Sequence, residues 1–235
     1  MDKYSFLSKL FLAAAILLAG IFIGQGLKKF RNGERNVTVR GLAEKEVLAD
    51  FGFWPVAFTE SSNDLADLNA KMDEKYKIIS DFLISSGFSK DEISISPPNV
   101  TDFRARKYGS PDDNMMVRYL GEGTVSLKTT KVKLLKETSG KTSFLLSKGI
   151  VLSNNDYMTR ITYSFKGLNE IKPTMIEEAN KNAREAADKF AKDSGSRIGK
   201  IKTASQGLFS IEDADFNTPE IKRIRVVNTV EYYLE

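Results

Sequence analysis

The sequence predicts an α+β fold, a mainly antiparallel sheet with about three packed helices, preceded by one N-terminal transmembrane or signal helix. Several segments alternate apolar and polar residues, which is typical of strands with one buried face. Three others repeat apolar residues every three or four positions, which is typical of amphipathic helices. Strands and helices interleave between long alternating segments at both ends of the body, and this order favours an α+β domain.

The N-terminal segment is the first element. Eighteen uncharged residues separate Lys9 from Lys28, and as a helix they would span roughly 27 Å, close to the hydrocarbon core of one bilayer. We interpret residues 1–35 as a signal anchor, or a signal peptide, with a short polar joint, and residues 36–235 as the folded domain. The residues assigned to the membrane anchor are Leu10, Phe11, Leu12, Ile16, Leu17, Leu18, Gly20, Ile21, Phe22, Ile23 and Gly24.

Two fates of this segment stay open. A basic start followed by the apolar run 10–23 fits a cleaved secretory signal, but small residues at cleavage spacing occur only at residues 24–26, so we favour an uncleaved anchor. Gly20 and Gly24 form a small-xxx-small pair, which lets two membrane helices approach closely, although glycine is common in such helices anyway.

The charges around the segment bear on its orientation. Four basic residues at positions 28–35 outnumber the two before the segment, Lys3 and Lys9, and the positive-inside bias would then keep the body in the cytoplasm. An N-terminal apolar segment on a long chain is nevertheless typical of export, and long domains translocate largely regardless of charge. We therefore expect a single-pass inner-membrane protein with its C-terminal domain in the periplasm, or a periplasmic protein if the leader is cleaved.

Two strands open the body. Val37 and Val39 alternate with polar neighbours, which predicts a half-buried strand. Residues 51–58 are apolar on both faces, which predicts a strand covered on both sides. Within it, Pro55 predicts an edge position or a bulge, and Trp54 is assigned to the core.

A helix and a short strand follow. Residues 61–64 supply helix-start chemistry, apolar residues recur at helical spacing through 65–83, and Gly87 marks the end. A strand at 93–95 comes next, interrupted by the two prolines at 97–98.

The middle of the chain repeats this order. Residues 117–128 show the clearest alternation in the sequence and predict a long strand with one buried face. A second helix is expected over 132–149, where the pair Ser139-Gly140 weakens the pattern of one continuous helix. Another strand is expected at 161–165.

The third helix begins between residues 169 and 173 and ends at Gly195. Its predicted packing stripe consists of Ile176, Ala179, Ala183, Ala186 and Phe190. Residues 198–201 open a further strand, and a strand at 224–234 closes the chain. Asn228 falls on the apolar side of this last strand, where it needs a hydrogen-bond partner.

Composition excludes several chemistries. The chain has no His and no Cys, which removes imidazole bases, imidazole and thiolate metal ligands, thiol nucleophiles and disulfides. We therefore expect a protein without catalytic residues, cofactor or metal. The remaining candidates for catalysis or calcium binding are Asp112 with Asp113, Glu177 with Glu178, Ser139 with Lys141, Ser147 with Lys148, and the trio Glu212, Asp213 and Asp215, which lacks the spacing of a calcium loop.

One basic segment with interleaved aromatics is a candidate interaction arm. It comprises Phe103, Arg104, Arg106, Lys107 and Tyr108. Such a segment could contact nucleic acid or lipid headgroups, or it could be an exposed hairpin with solvated charges. Residues 31–235 carry 31 basic against 30 acidic side chains, so the body is nearly neutral; this favours the hairpin and argues against a nucleic-acid partner.

Five sequence blocks, in their order and spacing, resemble the SIMPL-domain family. They are VTVRGLAEKEVLADFGFWPVAF (37–58), RYLGEGTVSLKTTKVKLL (118–135), AADKFAK (186–192), RIGKIKTASQG (197–207) and VVNTVEYYLE (226–235). The resemblance implies an exported bacterial protein of α+β fold, and because some members assemble into large ring- or channel-like oligomers, it implies a homo-oligomer. The family brings no established catalytic residues. Ala49 stands where the family usually has Pro, and Asn228 where it has a small apolar residue.

These observations give one leading expectation and two alternatives. We expect a non-enzymatic, membrane-tethered periplasmic protein that acts by self-assembly or by contact with envelope components. The first alternative is a periplasmic hydrolase that uses carboxylates or a Ser–Lys pair. The second is a module that binds a peptide, glycan or lipid through the arm.

Overall fold

The computed structural model describes residue 13 and residues 15–25, 35–105, 117–153 and 159–235. Within these ranges the chain has an α+β fold with two antiparallel sheets and five helices. The α+β class is confirmed, whereas the prediction of one sheet with about three packed helices was wrong in number. The helices are α1 (residues 15–25), α2 (Leu65–Ser85), α3 (Val132–Ser139), α4 (Ser143–Ser147) and α5 (Leu168–Asp193). The strands are β1 (Asn36–Leu48), β2 (Phe51–Ser62), β3 (Ile93–Ile95), β4 (Asn99–Asp102), β5 (Tyr119–Thr129), β6 (Thr162–Ser164), β7 (Ile198–Gln206), β8 (Ser210–Asp213) and β9 (Ile221–Leu234).

The chain divides into two compact units. Unit 1 consists of Met1–Lys45, Ile171–Ser210 and Arg225–Glu235, and unit 2 consists of Glu46–Glu170 and Ile211–Ile224. One sheet has the strand order β1-β9-β7, with β8 also paired to β9. The other has the order β3-β5-β2-β6, with β4 also paired to β5.

In unit 1, helix α5 approaches β1 closely. A Cβ atom on Gly41 would lie 1.8 Å from the carbonyl oxygen of Ala179, so only glycine fits there. The buried face of α5 consists of Met175, Ala179, Ala183, Ala187 and Ala191. The predicted stripe was therefore wrong at Ala186 and Phe190, which are exposed. Alanines four residues apart lie on one narrow stripe of the helix that faces the sheet. The bulky side chain of Phe190 lies outside this stripe.

The start of α5 also differs from the prediction. The helix begins at Leu168, so Pro173 lies inside it and not at its first position. Its end is as predicted, because Gly195 takes a φ of +68°, a conformation that glycine adopts without strain.

In unit 2, β2 and β5 form the central ladder, an unbroken antiparallel register from Gly52 opposite Thr129 to Ser62 opposite Tyr119. Helix α2 packs its buried side chains into the core of this unit, which includes Trp54 as predicted. Pro55 produces neither a bulge nor an edge strand, because β2 lies between β5 and β6. It is tolerated because the β6 ladder reaches only Phe53, so no partner strand requires its missing N–H.

The predicted second helix is two helices, α3 and α4, separated at Gly140 as the weak point in the sequence indicated. Strand β8 was not predicted, and the expected strand at 161–165 forms only the three-residue β6.

The N-terminal segment is described in part. Leu10, Phe11 and Leu12 of the predicted anchor lie outside the described residues. The large apolar side chains of α1 are 53–71% exposed; they are Ile16, Leu17, Leu18, Ile21, Phe22 and Ile23. Among the described residues, and apart from neighbouring residues of the helix itself, no atom lies within 4 Å of a Cβ placed on Gly20 or Gly24. Among the residues that the structure describes, no helix combines the length and apolarity needed to cross a membrane.

Candidate functional site

The two candidate Ser–Lys pairs do not form dyads. The Ser139 hydroxyl donates to the carbonyl of Lys136 at 2.8 Å, and the Ser147 hydroxyl donates to the carbonyl of Phe144 at 2.6 Å. The ammonium of Lys148 lies 5.8 Å from the centre of the Phe144 ring. Both hydroxyl protons are therefore directed at main-chain oxygens and not at a lysine.

Two of the three candidate carboxylates near β8, Asp213 and Asp215, are bound by protein groups. Asp213 pairs with the buried ammonium of Lys222. Asp215 accepts the main-chain N–H groups of Asn217 and Thr218 at 2.7 and 3.0 Å, and it also binds the Thr218 hydroxyl, which holds the pKa of Asp215 below its usual value. In the described part of the chain, no three acidic side chains are grouped to hold a metal ion. Asp112 and Asp113 lie outside it.

The predicted interaction arm is seen only at its start. Phe103 and Arg104 lie in a short 3-10 turn, whereas Arg106, Lys107 and Tyr108 lie outside the described residues. Strands β4 and β5 pair antiparallel, with Asp102 opposite Tyr119. Phe103 therefore begins the connection between β4 and β5, and the role of the arm stays a prediction.

The feature of unit 2 best suited to binding is a groove between α2 and the strands β3 and β4. Its apolar end is a cavity of about 530 Å³, and among the described residues that line it Asn69 alone has a polar side chain. The residues that line it are Leu65, Ala66, Leu68, Asn69, Met72, Pro98 and Val100. A cavity of this size and character is typical of sites that bury apolar side chains.

A second cavity of about 620 Å³ continues the groove along α2 and shares Pro98 with the first. It is more polar, and its lining residues are Asp73, Tyr76, Lys77, Ser80, Ile95, Ser96, Pro97 and Pro98. The Tyr76 hydroxyl donates to the carbonyl of Ser96 at 3.2 Å, and burial raises the pKa of Tyr76, so this phenol stays neutral. We call the two cavities together the α2 groove.

Local sequence explains why the groove is open. Asp64 caps α2 by accepting the N–H of Asp67 at 2.9 Å, which places Leu65 at the first helical position, beyond the buried part of the helix face. On the other side, Pro97 and Pro98 separate β3 from β4 and leave two short outer strands. Leu65, Ile95 and Val100 are consequently 52, 55 and 42% exposed.

The outer strands also offer a main-chain edge. Within the described residues, β3 and β4 each pair only with β5, so their other edge carries main-chain N–H and C=O groups without a strand partner. Two lysines of α2 near the groove are already paired, Lys71 with Asp67 at 2.7 Å and Lys75 with Glu60, whereas Asp73 and Lys77 line its more polar end. An apolar cavity beside an open strand edge can hold an extended peptide, whose backbone pairs with the edge and whose side chains enter the cavity.

Comparison with known protein families matches most of the chain to one of them. The SIMPL family model, described as a protein of unknown function (DUF541), matches residues 37–227. No curated protein matches the chain.

Proposed function

The chain belongs to the SIMPL family, and on that premise we propose that it is a non-enzymatic cell-envelope protein, held at the inner membrane by its N-terminal segment with its C-terminal part in the periplasm. It acts by binding extended apolar segments of partner proteins in the α2 groove. The observation that carries this proposal is the pairing of an apolar cavity with the open edge of β3 and β4.

A protein segment is a better occupant of the groove than a lipid chain. An acyl chain would fill the apolar cavity but would leave the main-chain groups at the edge of β3 and β4 without partners. An extended peptide satisfies both, because it adds a strand to the edge and places alternate side chains in the pocket. Val100 and Ile95 stand on these two strands and line the groove from the edge side.

The tether is supported by the N-terminal segment. Its eighteen uncharged residues are followed by a body that begins at β1, and the described apolar side chains of α1 lie in solvent and not in a protein core. Contact between this many apolar side chains and water is unfavourable, and insertion into a bilayer removes it.

The groove is tested with selected peptides. We would select a phage library of random 12-residue peptides against the full chain in lipid nanodiscs and measure the affinity of an enriched peptide by fluorescence anisotropy. Leu65→Lys and Val100→Lys should each weaken binding by roughly tenfold or more, because each places a charge in the apolar cavity. Ile84→Lys is the matched control, since Ile84 is a partly exposed residue of α2 that does not line the groove.

The expected outcome is enrichment of apolar, extended peptides whose affinity depends on Leu65 and Val100 and not on Ile84. Enrichment no greater than on empty nanodiscs would overturn the proposal. Equal affinity for all three lysine variants would also overturn it.

Location is tested by fractionation. The full chain should sediment with the inner membrane, and protease added to spheroplasts should digest the body. A soluble protein, or a body that stays protected until the spheroplasts are lysed, would contradict the proposed location.

Self-assembly is the second candidate function, and the edge strand β7 favours it. In the described residues β7 pairs only with β9, and its residues 200–206 are exposed. Two register shifts near Ile201 interrupt the ladder, which limits indiscriminate pairing but leaves an apolar side chain at the edge.

This second candidate is tested by light scattering of the detergent-solubilised full chain. Ile201→Lys should lower the mass of the particle, whereas Phe190→Lys, at a side chain of equal exposure (56%) on α5, should not. A monomeric mass for the unmodified chain at high concentration would rule out self-assembly.

A further inference from the structure

The near neutrality of the body results from two units of opposite charge. In unit 1, the residues from position 35 onward include twelve Lys and Arg against eight Asp and Glu, whereas unit 2 has eighteen against twenty-one. Unit 1 is therefore basic and unit 2 acidic. Unit 1 is also the unit that includes the apolar N-terminal segment.

A turn between β7 and β8 in unit 1 presents an apolar side chain to solvent. Leu208 is 95% exposed. Its neighbour Gly207 lies against β9, where an added Cβ would come within 2.2 Å of the carbonyl oxygen of Val227. On the other side, Phe209 is half-buried, with the ammonium of Lys172 5.8 Å from its ring centre. Gly207 and Phe209 therefore contact the rest of unit 1, whereas the side chain of Leu208 between them is almost fully exposed to solvent.

Two guanidinium groups lie beside this turn. Arg40 of β1 and Arg225 of β9 line a cavity of about 430 Å³ together with Gly207, Leu208 and two hydroxyl residues, Ser210 and Thr229. Nε of Arg225 lies 3.3 Å from a carboxylate oxygen of Glu44. Arg40 has no ion-pair partner among the described residues, and no acidic residue lines the cavity.

We infer that Arg40, Arg225 and Leu208 form a docking surface for an anionic lipid bilayer. The guanidinium groups bind headgroup phosphates, for which their planar donor geometry is suited, and Leu208 enters the boundary between headgroups and acyl chains. This inference rests on the proposed function, because the tether brings unit 1 to the membrane.

The stretch of chain between α1 and β1 is short. Residues 26–34 connect α1 to the start of the folded body, and nine residues span at most about 30 Å. A soluble anion would use the arginines and hydroxyls but would give Leu208 no role. A bilayer uses both the positive charge and the exposed apolar side chain.

The absence of cysteine from the chain permits a direct test. Leu208→Cys is labelled with the polarity-sensitive fluorophore NBD, and the full chain is added from detergent to preformed vesicles of phosphatidylcholine, with or without 30% phosphatidylglycerol. We expect a blue shift and quenching by nitroxide-labelled lipid in the anionic vesicles. Phe216→Cys is the control, because Phe216 is an equally prominent apolar side chain, 87% exposed, in acidic unit 2.

Removing the positive charge tests the arginines. Arg40→Gln together with Arg225→Gln should reduce the fraction of inserted Leu208→Cys label several-fold. Lys181→Gln, at an exposed lysine of the same unit, should leave it unchanged.

The outcomes separate the inference from the tether. If the chain floats with both kinds of vesicle but the label at position 208 stays in water, the docking surface is wrong and the tether stands. Equal insertion of the labels at 208 and 216 also overturns the docking surface. If the chain floats only with anionic vesicles, and only with both arginines present, the docking surface stands and the tether is wrong.

Discussion

The guanidinium of Arg118 contacts both carboxylate oxygens of Asp102 at the base of the arm. Nη2 lies 3.1 Å from Oδ2, and Nε lies 3.3 Å from Oδ2 and 3.4 Å from Oδ1. The hydrogen bond from Arg118 holds the pKa of Asp102 below its usual value. The N–H of Phe103 donates to the carbonyl of Arg118 at 2.9 Å beside this pair. Side chains and main chain together close the hairpin where the arm begins.

Removal of this ion pair should loosen the start of the arm. In Asp102→Asn the charge is lost, so we expect the amide of Phe103 to exchange its hydrogen roughly threefold faster or more, as local opening becomes easier. The measurement is hydrogen exchange resolved to single amides. Asp67→Asn is the control, because it breaks an exposed ion pair with Lys71 elsewhere in unit 2. Unchanged protection of Phe103 would show that the main-chain bond alone closes the hairpin.

The long elements could be predicted from sequence because their periodicity is local. Alternation through residues 117–128 predicted β5, and helical spacing through residues 65–83 predicted α2. Periodicity does not specify which neighbour an element meets, and this is why the packing face of α5 was wrong. Phe190 fits the helical repeat as well as Ala187 does, but only the smaller side chain fits the close approach to β1.

The candidate site could not be predicted for the same reason. Leu65, Ile95 and Val100 are separated by up to 35 positions along the chain, and they share a groove only after β3 and β4 pair with β5. The charge difference between the units also depends on tertiary structure, because unit 1 combines three separate segments of the chain. The net charge of the whole body is near zero and therefore does not reveal that the two units carry opposite charges.

Glu92 should contribute stability that disappears in acid. Burial raises its pKa, but hydrogen bonds from Thr129 (2.6 Å), from Ser89 (2.8 Å to its N–H) and from Lys131 (3.1 Å) more than offset this and lower the pKa to about 2. Because the pKa is lowered on folding, the stabilisation is complete above the unfolded value of 4.5 and is lost as the pH falls toward 2.

We therefore expect Glu92→Gln to lower the free energy of unfolding by about 2 kcal/mol at pH 7, and by less than half of that at pH 3. Urea unfolding at the two pH values measures both. The exposed neighbour Asp91 gives the control, and Asp91→Asn should change the stability by less than about 0.5 kcal/mol. An equal loss at both pH values for Glu92→Gln would contradict the ionisation argument.

Asn228 should be replaceable with a gain in stability. It is buried on β9, and its Nδ2 donates to Oδ1 of Asn180 at 2.8 Å, whereas its own Oδ1 has no hydrogen-bond partner among the described residues. An unpaired buried oxygen costs about 1–3 kcal/mol. Asn228→Val removes it and suits a strand, so the free energy of unfolding should rise by about 1 kcal/mol.

The partner residue provides the control for this substitution. Asn180 is exposed, so its amide can bind water once Asn228 is gone. Asn180→Ala, in contrast, leaves both polar atoms of Asn228 buried without a partner and should lower the stability by about 1 kcal/mol. Urea unfolding distinguishes the two, and a destabilised Asn228→Val would refute the account.

Gly41, the single glycine of β1, should not tolerate a side chain. In Gly41→Ala the new Cβ would lie 1.8 Å from the carbonyl oxygen of Ala179 and 2.5 Å from the nitrogen of Ala183, both in the main chain of α5. Main-chain atoms cannot rotate aside, so the helix must move off the sheet, at a cost of about 3 kcal/mol or more. Gly140→Ala is the control, since Gly140 has a helical φ of −71° and its nearest neighbour, the oxygen of Glu137, lies 3.4 Å away. That variant should keep or slightly raise the thermal midpoint, and equal midpoints for both variants would show that α5 does not require the close approach at Gly41.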